Sequence, residues 1–173
     1  MRNERALVHL DDDRQTQRLL AEVFAARGYR VAPVPSPREF LTRLPHRTER
    51  VMLMNLALPE IDGIEVLRHV KAFDGGIQVI VVTEMVPMST VVESLRSGAE
   101  ACFFKPLTDM SSLLQAVTCS FRKIERWWQT LDEFSCRRQV VPADLPQALA
   151  GLSHASQFCQ AELIPLSTAV PGV

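Results

Sequence analysis

The residues able to do chemistry here are the adjacent carboxylates Asp11 and Asp12, the amide Asn55, the hydroxyl of Thr83 and the ammonium of Lys105. Two carboxylates can hold Mg2+ through oxygen ligands, and a hydroxyl and an ammonium can bind the oxygens of a phosphoryl group. Taken singly, each has an ordinary reading as a surface carboxylate, a strand-ending threonine or a loop lysine. Their placement gives them weight, because each stands at the C-terminal end of an apolar run that reads as a strand. In an open parallel sheet the loops at that edge bring distant residues together around a crevice.

The elements that must position them follow from the apolar pattern. Residues 6–10 read as a strand ended by Asp11, Asp12 and Asp13. Leu19, Leu20, Val23 and Phe24 recur at helical spacing, and Gly28 sits where a helix C-terminal glycine belongs. A second strand covers residues 29–34, with Pro33 marking it as an edge strand or its end. Ser36, Pro37 and Glu39 make a helix start: a cap, a proline in the first turn and an acid three residues after the cap.

Residues 51–54 read as a buried strand ending at Asn55, and a loop runs from 56 to 63. Ile64, Leu67 and Val70 mark a third helix, Gly75 and Gly76 break the chain, and residues 78–82 form the clearest strand. Val91, Val92 and Leu95 mark a fourth helix closed by Gly98, before a fifth strand at 101–104. Alternating βα units with nearly continuous apolar strands predict an α/β fold: a parallel sheet covered on both faces, with right-handed crossovers.

The last helix is expected to start near Thr108 or Asp109 and to run to about Ser135. That is about 40 Å at 1.5 Å per residue, longer than a small sheet requires. Met110, Leu114, Val117, Phe121, Ile124, Trp128 and Leu131 follow one another at alternating steps of four and three residues, flanked by Trp127 and Phe134. Either the distal half of this seam packs on the C-terminal tail, or the seam pairs helices in a dimer. The expected organisation is a domain over 1–123, a helical extension over 124–136 and a tail over 137–173. The tail is divided by Pro142, Pro146, Pro165 and Pro171, and Leu145, Leu149, Leu152 and Phe158 could line one short helix despite Gly151. Arg122, Lys123, Arg126, Arg137 and Arg138 are interrupted by Glu125, Asp132 and Glu133, the pattern of a solvated helix face.

Composition excludes several classes. Hydrophobic residues make up 47% of the 173, enough for a sizeable core, and 19 Lys/Arg against 20 Asp/Glu argue against a nucleic-acid surface spread over the molecule. The cysteines at 102, 119, 136 and 159 lack zinc-ligand spacing, and the histidines at 9, 46, 69 and 154 form no cluster in sequence. There is no glycine-rich phosphate loop and no nucleophile elbow, so no catalytic residue is expected and the chain is not read as an enzyme. No signal peptide or membrane-length apolar run is visible, so a cytoplasmic location is expected.

In their order, Leu10-Asp11-Asp12-Asp13, the stretch from Asn55 through Pro59 to Asp62-Gly63, Thr83 and Lys105-Pro106 resemble the receiver domain of bacterial two-component response regulators, over residues 4–123. The resemblance implies a flavodoxin-like three-layer sandwich with strand order 2-1-3-4-5, here with an extended C-terminal helix. It also implies roles. In that family the acidic pair holds Mg2+, an aspartate after the third strand accepts a phosphoryl group from a histidine kinase, and the Thr and Lys bind that group.

Three departures qualify those roles. Asn55 occupies the acceptor position, and an amide cannot form an acyl phosphate there. As a neutral ligand it also attracts Mg2+ less than a carboxylate does, so Asp11 and Asp12 are expected to bind Mg2+ weakly or not at all. Glu84 follows Thr83 where the family has a small residue; it crowds the pocket, pairs with Lys105, or points to solvent. Cys102 stands three residues before Lys105 where the family places a switching aromatic ring, and it cannot supply that ring movement.

The resulting expectation is a phosphorylation-independent receiver acting as a protein-interaction module in signal transduction. It would need no cofactor and would meet a second copy or another signalling protein through the fourth helix, fifth strand and fifth helix. The interaction seam would comprise Leu114, Val117, Phe121, Ile124, Trp128 and Leu131. The alternatives are a phosphoacceptor receiver using Asp11, Asp12 or a nearby hydroxyl, and nucleic-acid binding through the tail. A redox role for Cys102 is a further one, with no thiolate-stabilising partner near it in sequence.

Overall fold

Long apolar runs form the strands of the computed structural model, which describes residues 5–138. The strands are β1 (Arg5–Leu10), β2 (Tyr29–Val34), β3 (Val51–Met54), β4 (Gln78–Thr83) and β5 (Ala99–Phe104). All neighbouring pairs are parallel, and the order is β2-β1-β3-β4-β5. Helices α1 (Arg14–Ala25), α2 (Pro37–Arg43), α3 (Gly63–Phe73), α4 (Met88–Arg96) and α5 (Met110–Arg138) complete the alternation, with a 3-10 turn at Leu44–His46. Every residue of β3 and β4 is buried, as expected of central strands covered on both faces. Pro33 lies in β2 at the sheet edge, where its missing N–H costs no ladder bond.

Alternation along the strands divides the core. Val8, Leu10, Met52, Met54, Val79 and Val81 point to one face and pack with Phe40 of α2 and Ile64, Leu67 and Val70 of α3. Leu7, Leu53, Ile80 and Val82 point to the other and meet Leu20 and Phe24 of α1 and Leu113, Leu114 and Val117 of α5. Each large apolar side chain buried in this way contributes about 1.5–3 kcal/mol.

Side-chain caps fix where the helices begin. Asp13 accepts from the amides of Gln15 and Thr16, Ser36 from Glu39, and Asp62 from Ile64. Asp109 accepts from the amides of Ser111 and Ser112, which makes it the cap of α5, not a residue of its first turn. The chain leaves α1 through Gly28 at a φ of 80°, a left-handed conformation open to glycine. β5 begins two residues earlier than expected because an irregularity opposite Val79 and Ile80 lets Glu100 bulge out of register.

α5 is 29 residues long, about 44 Å, against about 20 Å for a six-residue strand. Its proximal seam belongs to the core: Leu114 and Val117 are buried, and Phe121 and Ile124 pack against the α1–α5 side of the sheet. Trp128 and Leu131 are half-buried, whereas Trp127 and Phe134 are exposed. Arg5 pairs with Glu125 at 3.2 Å, Lys123 with Glu100 at 2.9 Å, and Lys123 stacks on Trp127. These contacts tie the helix down where it passes the N-terminal end of the sheet. The expected tail helix at Leu145, Leu149 and Leu152 lies outside the described residues.

Candidate functional site at the strand ends

The sheet ladder continues one residue past the strands, and this is what assembles the site. The amide of Asp11 donates to Val34 O at 3.2 Å, that of Asn55 to Leu10 O at 2.9 Å, and that of Lys105 to Thr83 O at 2.8 Å. Leu10 pairs in register with Met54, so Asp11 and Asn55 leave the sheet side by side.

Asp11 is fully buried, with its Oδ1 and main-chain carbonyl hydrogen-bonded and its Oδ2 ion-paired. Its Oδ1 accepts from the Asp13 amide at 3.0 Å and from Asn55 Nδ2 at 3.3 Å. Its Oδ2 lies 2.8 Å from Lys105 Nζ and 3.5 Å from His9 Nε2. Its main-chain carbonyl accepts from Gln17 Nε2 at 2.7 Å. Burial alone would raise the Asp11 pKa, but hydrogen bonds from His9 and Lys105, the Asp13 amide and the Lys105 charge hold it below the ordinary carboxylate value.

Asn55 is held at both ends of its amide. Nδ2 donates to Asp11 and to Ala57 O at 3.2 Å, and Oδ1 accepts from the Ala57 amide at 3.1 Å. The donor side matters, since a carboxylate at this position would oppose Asp11 where the amide binds it. Thr83 is buried, and its hydroxyl has no hydrogen-bond partner among the described residues. Glu84 is 64% exposed, with Oε1 3.8 Å from Lys105 Nζ, so the near partner of the lysine is Asp11 and Glu84 sits at the outer edge of ion-pair range. Asp12 is exposed. Cys102 is half-buried against the α2–α3 side of the sheet, and burial pushes its thiol pKa up. Phe103 packs on the opposite face and Phe104 is exposed.

Of the residues singled out from sequence, Asp11, Asn55 and Lys105 touch, Thr83 and Glu84 border them, and Asp12 and Cys102 stand apart. Sequence reasoning missed His9, Gln17 and the main chain of Ala57. His9 carried a usable signal: it lies two residues before Asp11, and period two along a strand puts both on one face.

Asp11 and Asn55 resemble the Mg2+-binding site of a receiver only in part. Both oxygens of Asp11 are committed, Asn55 turns its amide nitrogen toward Asp11, and the described residues contain no cluster of three His, Cys, Asp or Glu suited to a metal. What remains resembles the acidic site of a receiver, closed by its own lysine.

The comparisons agree with this geometry. Residues 7–118 match the response regulator receiver domain family, and the chain belongs to it. It is 32% identical over 117 residues to sporulation initiation phosphotransferase F of Bacillus subtilis (strain 168), covering 68% of this chain and 93% of that protein. It is 33% identical over 98 residues to transcriptional regulatory protein ZraR of Klebsiella oxytoca, covering 57% of this chain and 22% of that protein, so it spans only about a fifth of that relative. A CheY-like receiver domain protein from Methanospirillum hungatei JF-1 superposes with a TM-score of 0.66 at 24% identity, over 70% of this chain and 97% of that one, a likeness of fold. Among the described residues no helix is long and apolar enough to cross a membrane.

Proposed function

We propose that this receiver is a phosphorylation-independent interaction module in signal transduction, a binding protein and not an enzyme. The observation that carries the reading is Asn55: the acceptor position holds an amide whose nitrogen and oxygen are both bonded. Mg2+ binding is weak or absent on this reading, because Lys105 already neutralises Asp11. The interaction face is the one formed by α4, β5 and α5. There Met88, Val92 and Leu95 make an exposed apolar stripe along α4, with Met85 before it and Phe104 on β5. A second copy or another signalling protein would cover it. The test is intact-mass measurement after incubation with acetyl phosphate and Mg2+. No added phosphoryl group is expected, and a stoichiometric gain would overturn the reading.

A second reading keeps phosphoryl acceptance but moves it to another residue. It is favoured by the survival of Lys105, by the buried Thr83 hydroxyl, which has no hydrogen-bond partner among the described residues, and by the exposed carboxylate of Asp12. The phosphotransferase named among the relatives points the same way. A mass gain mapped to Asp12 and lost in Asp12→Asn would establish it. The nucleic-acid alternative rests mainly on the tail, outside the described residues; it requires binding that weakens steeply with salt.

A further inference from the structure

We propose that Glu84 is a built-in anion for Lys105, tying the segment between β4 and α4 to the strand-end crevice where other receivers use a transferred phosphoryl group. The proposal rests on the phosphorylation-independent reading and adds to it a device for holding the output side in place.

Charge is the first argument. With an amide at position 55, Asp11 is the only carboxylate among the described residues buried against Lys105, and Glu84 brings a second one to the same ammonium from the neighbouring strand end. Backbone geometry is the second. The Lys105 amide bonds to Thr83 O at 2.8 Å, which fixes the two strand ends side by side and keeps Glu84 within reach. Thr83, one residue before Glu84, leaves a buried hydroxyl without a hydrogen-bond partner among the described residues, so the crevice still offers a donor to an anion.

The third argument is the segment itself. α4 begins at Met88, after Pro87 at the cap position and with no side-chain cap, and Met85 and Met88 are 77% and 75% exposed. Among the described residues, the Glu84 carboxylate makes the one polar side-chain contact from residues 84–88 to the rest of the protein. An exposed pair of this kind adds little to global stability. Its effect falls on the position of a segment that no other polar side-chain contact among the described residues anchors, and that segment leads directly into the apolar stripe of α4.

Hydrogen exchange of the full chain, read by mass spectrometry on peptides spanning residues 84–96, tests this in wild type and Glu84→Gln. Glu84 is exposed, so the variant folds. Exchange at residues 85–90 is expected to rise roughly two- to five-fold in Glu84→Gln, with peptides from β1 and β3 unchanged. Raising ionic strength from low to high should accelerate the same amides in wild type and leave the variant unmoved, because the pair is screened only where it exists. Equal exchange in the two proteins overturns the proposal, as does salt sensitivity that persists in Glu84→Gln. A phosphoryl gain from acetyl phosphate would instead overturn the underlying reading, and it is measured separately by mass.

Discussion

Asn55 Nδ2 donates to Asp11 Oδ1 across 3.3 Å, which converts the acceptor position of a receiver into a hydrogen-bond donor for its own acidic residue. Exchanging that donor for an acid reverses the interaction. Asn55→Asp should lower stability by about 1–3 kcal/mol without divalent cations, since a buried carboxylate loses a donor and gains a like charge. Mg2+ should restore most of the loss, and the variant should then accept a phosphoryl group from acetyl phosphate. Urea unfolding with and without Mg2+ checks the first part; a loss that Mg2+ leaves untouched would mean that residue 55 alone does not close the site.

The ion pair between Lys105 and Asp11 is the next element to break. The lysine side chain is 9% exposed and the aspartate is fully buried, so Lys105→Met strands a charge. Removing one partner of a buried pair costs about 3–5 kcal/mol, and the lower end applies here because Asn55 and the Asp13 amide remain. Adding Asp11→Asn to Lys105→Met should recover part of that loss. Strict additivity in denaturant melts would show that the two residues do not act as a pair.

Much of this was legible in the sequence, for particular reasons. β3 and β4 are buried on both faces, so their apolar runs admit few other readings, and Ser36 and Pro37 announce α2 through local hydrogen bonding alone. Asn55 was recognisable from its distance to Pro59 and Gly63. What was not legible depends on register. That Lys105 selects Asp11 over Glu84 follows from the alignment of β1, β3, β4 and β5, which no local pattern specifies. The seam on α5 shows the same limit. Steps of four and three residues describe a helix packing on a sheet as well as one packing on a helix, and only the sheet's extent separates Phe121 and Ile124 from Trp128 and Leu131.

Gly63 tests how tightly the loop after Asn55 is held. A Cβ built on it would stand 2.5 Å from the Leu56 main chain, which cannot move without disturbing Asn55 one residue away. Gly63→Ala should therefore cost about 2 kcal/mol or more although alanine favours helix, an overpacking penalty exceeding the propensity gain. A variant as stable as wild type in urea would show that the loop yields freely.

Cysteine accessibility separates β5 from α5. Cys119 and Cys136 are exposed on α5, whereas Cys102 is half-buried with its thiol pKa pushed up by burial. Among the three described cysteines, iodoacetamide under native conditions should label Cys119 and Cys136 first, with Cys102 lagging most at neutral pH and catching up as pH rises, because the thiolate is the reacting form. Peptide mapping of a labelling time course reads this directly. Early labelling of Cys102 at neutral pH would instead reveal an open, activated thiol on β5.

The start of α5 carries a pH signature. The side chains and amides of Ser111 and Ser112 bond to Asp109 and hold its carboxyl down at about 2, against an ordinary 3.8. A carboxylate whose pKa is depressed by folding contributes stability fully above its unfolded value, and that contribution is lost as pH falls through the folded value. The helix it caps places Leu113, Leu114 and Val117 in the core, so the effect should register in global unfolding. Asp109→Ala should destabilise the protein at pH 7, and the gap from wild type should narrow as pH drops from about 4 to about 2. Urea midpoints of both proteins across that range decide it: a gap of constant size would mean that the cap acts through geometry and not through its charge.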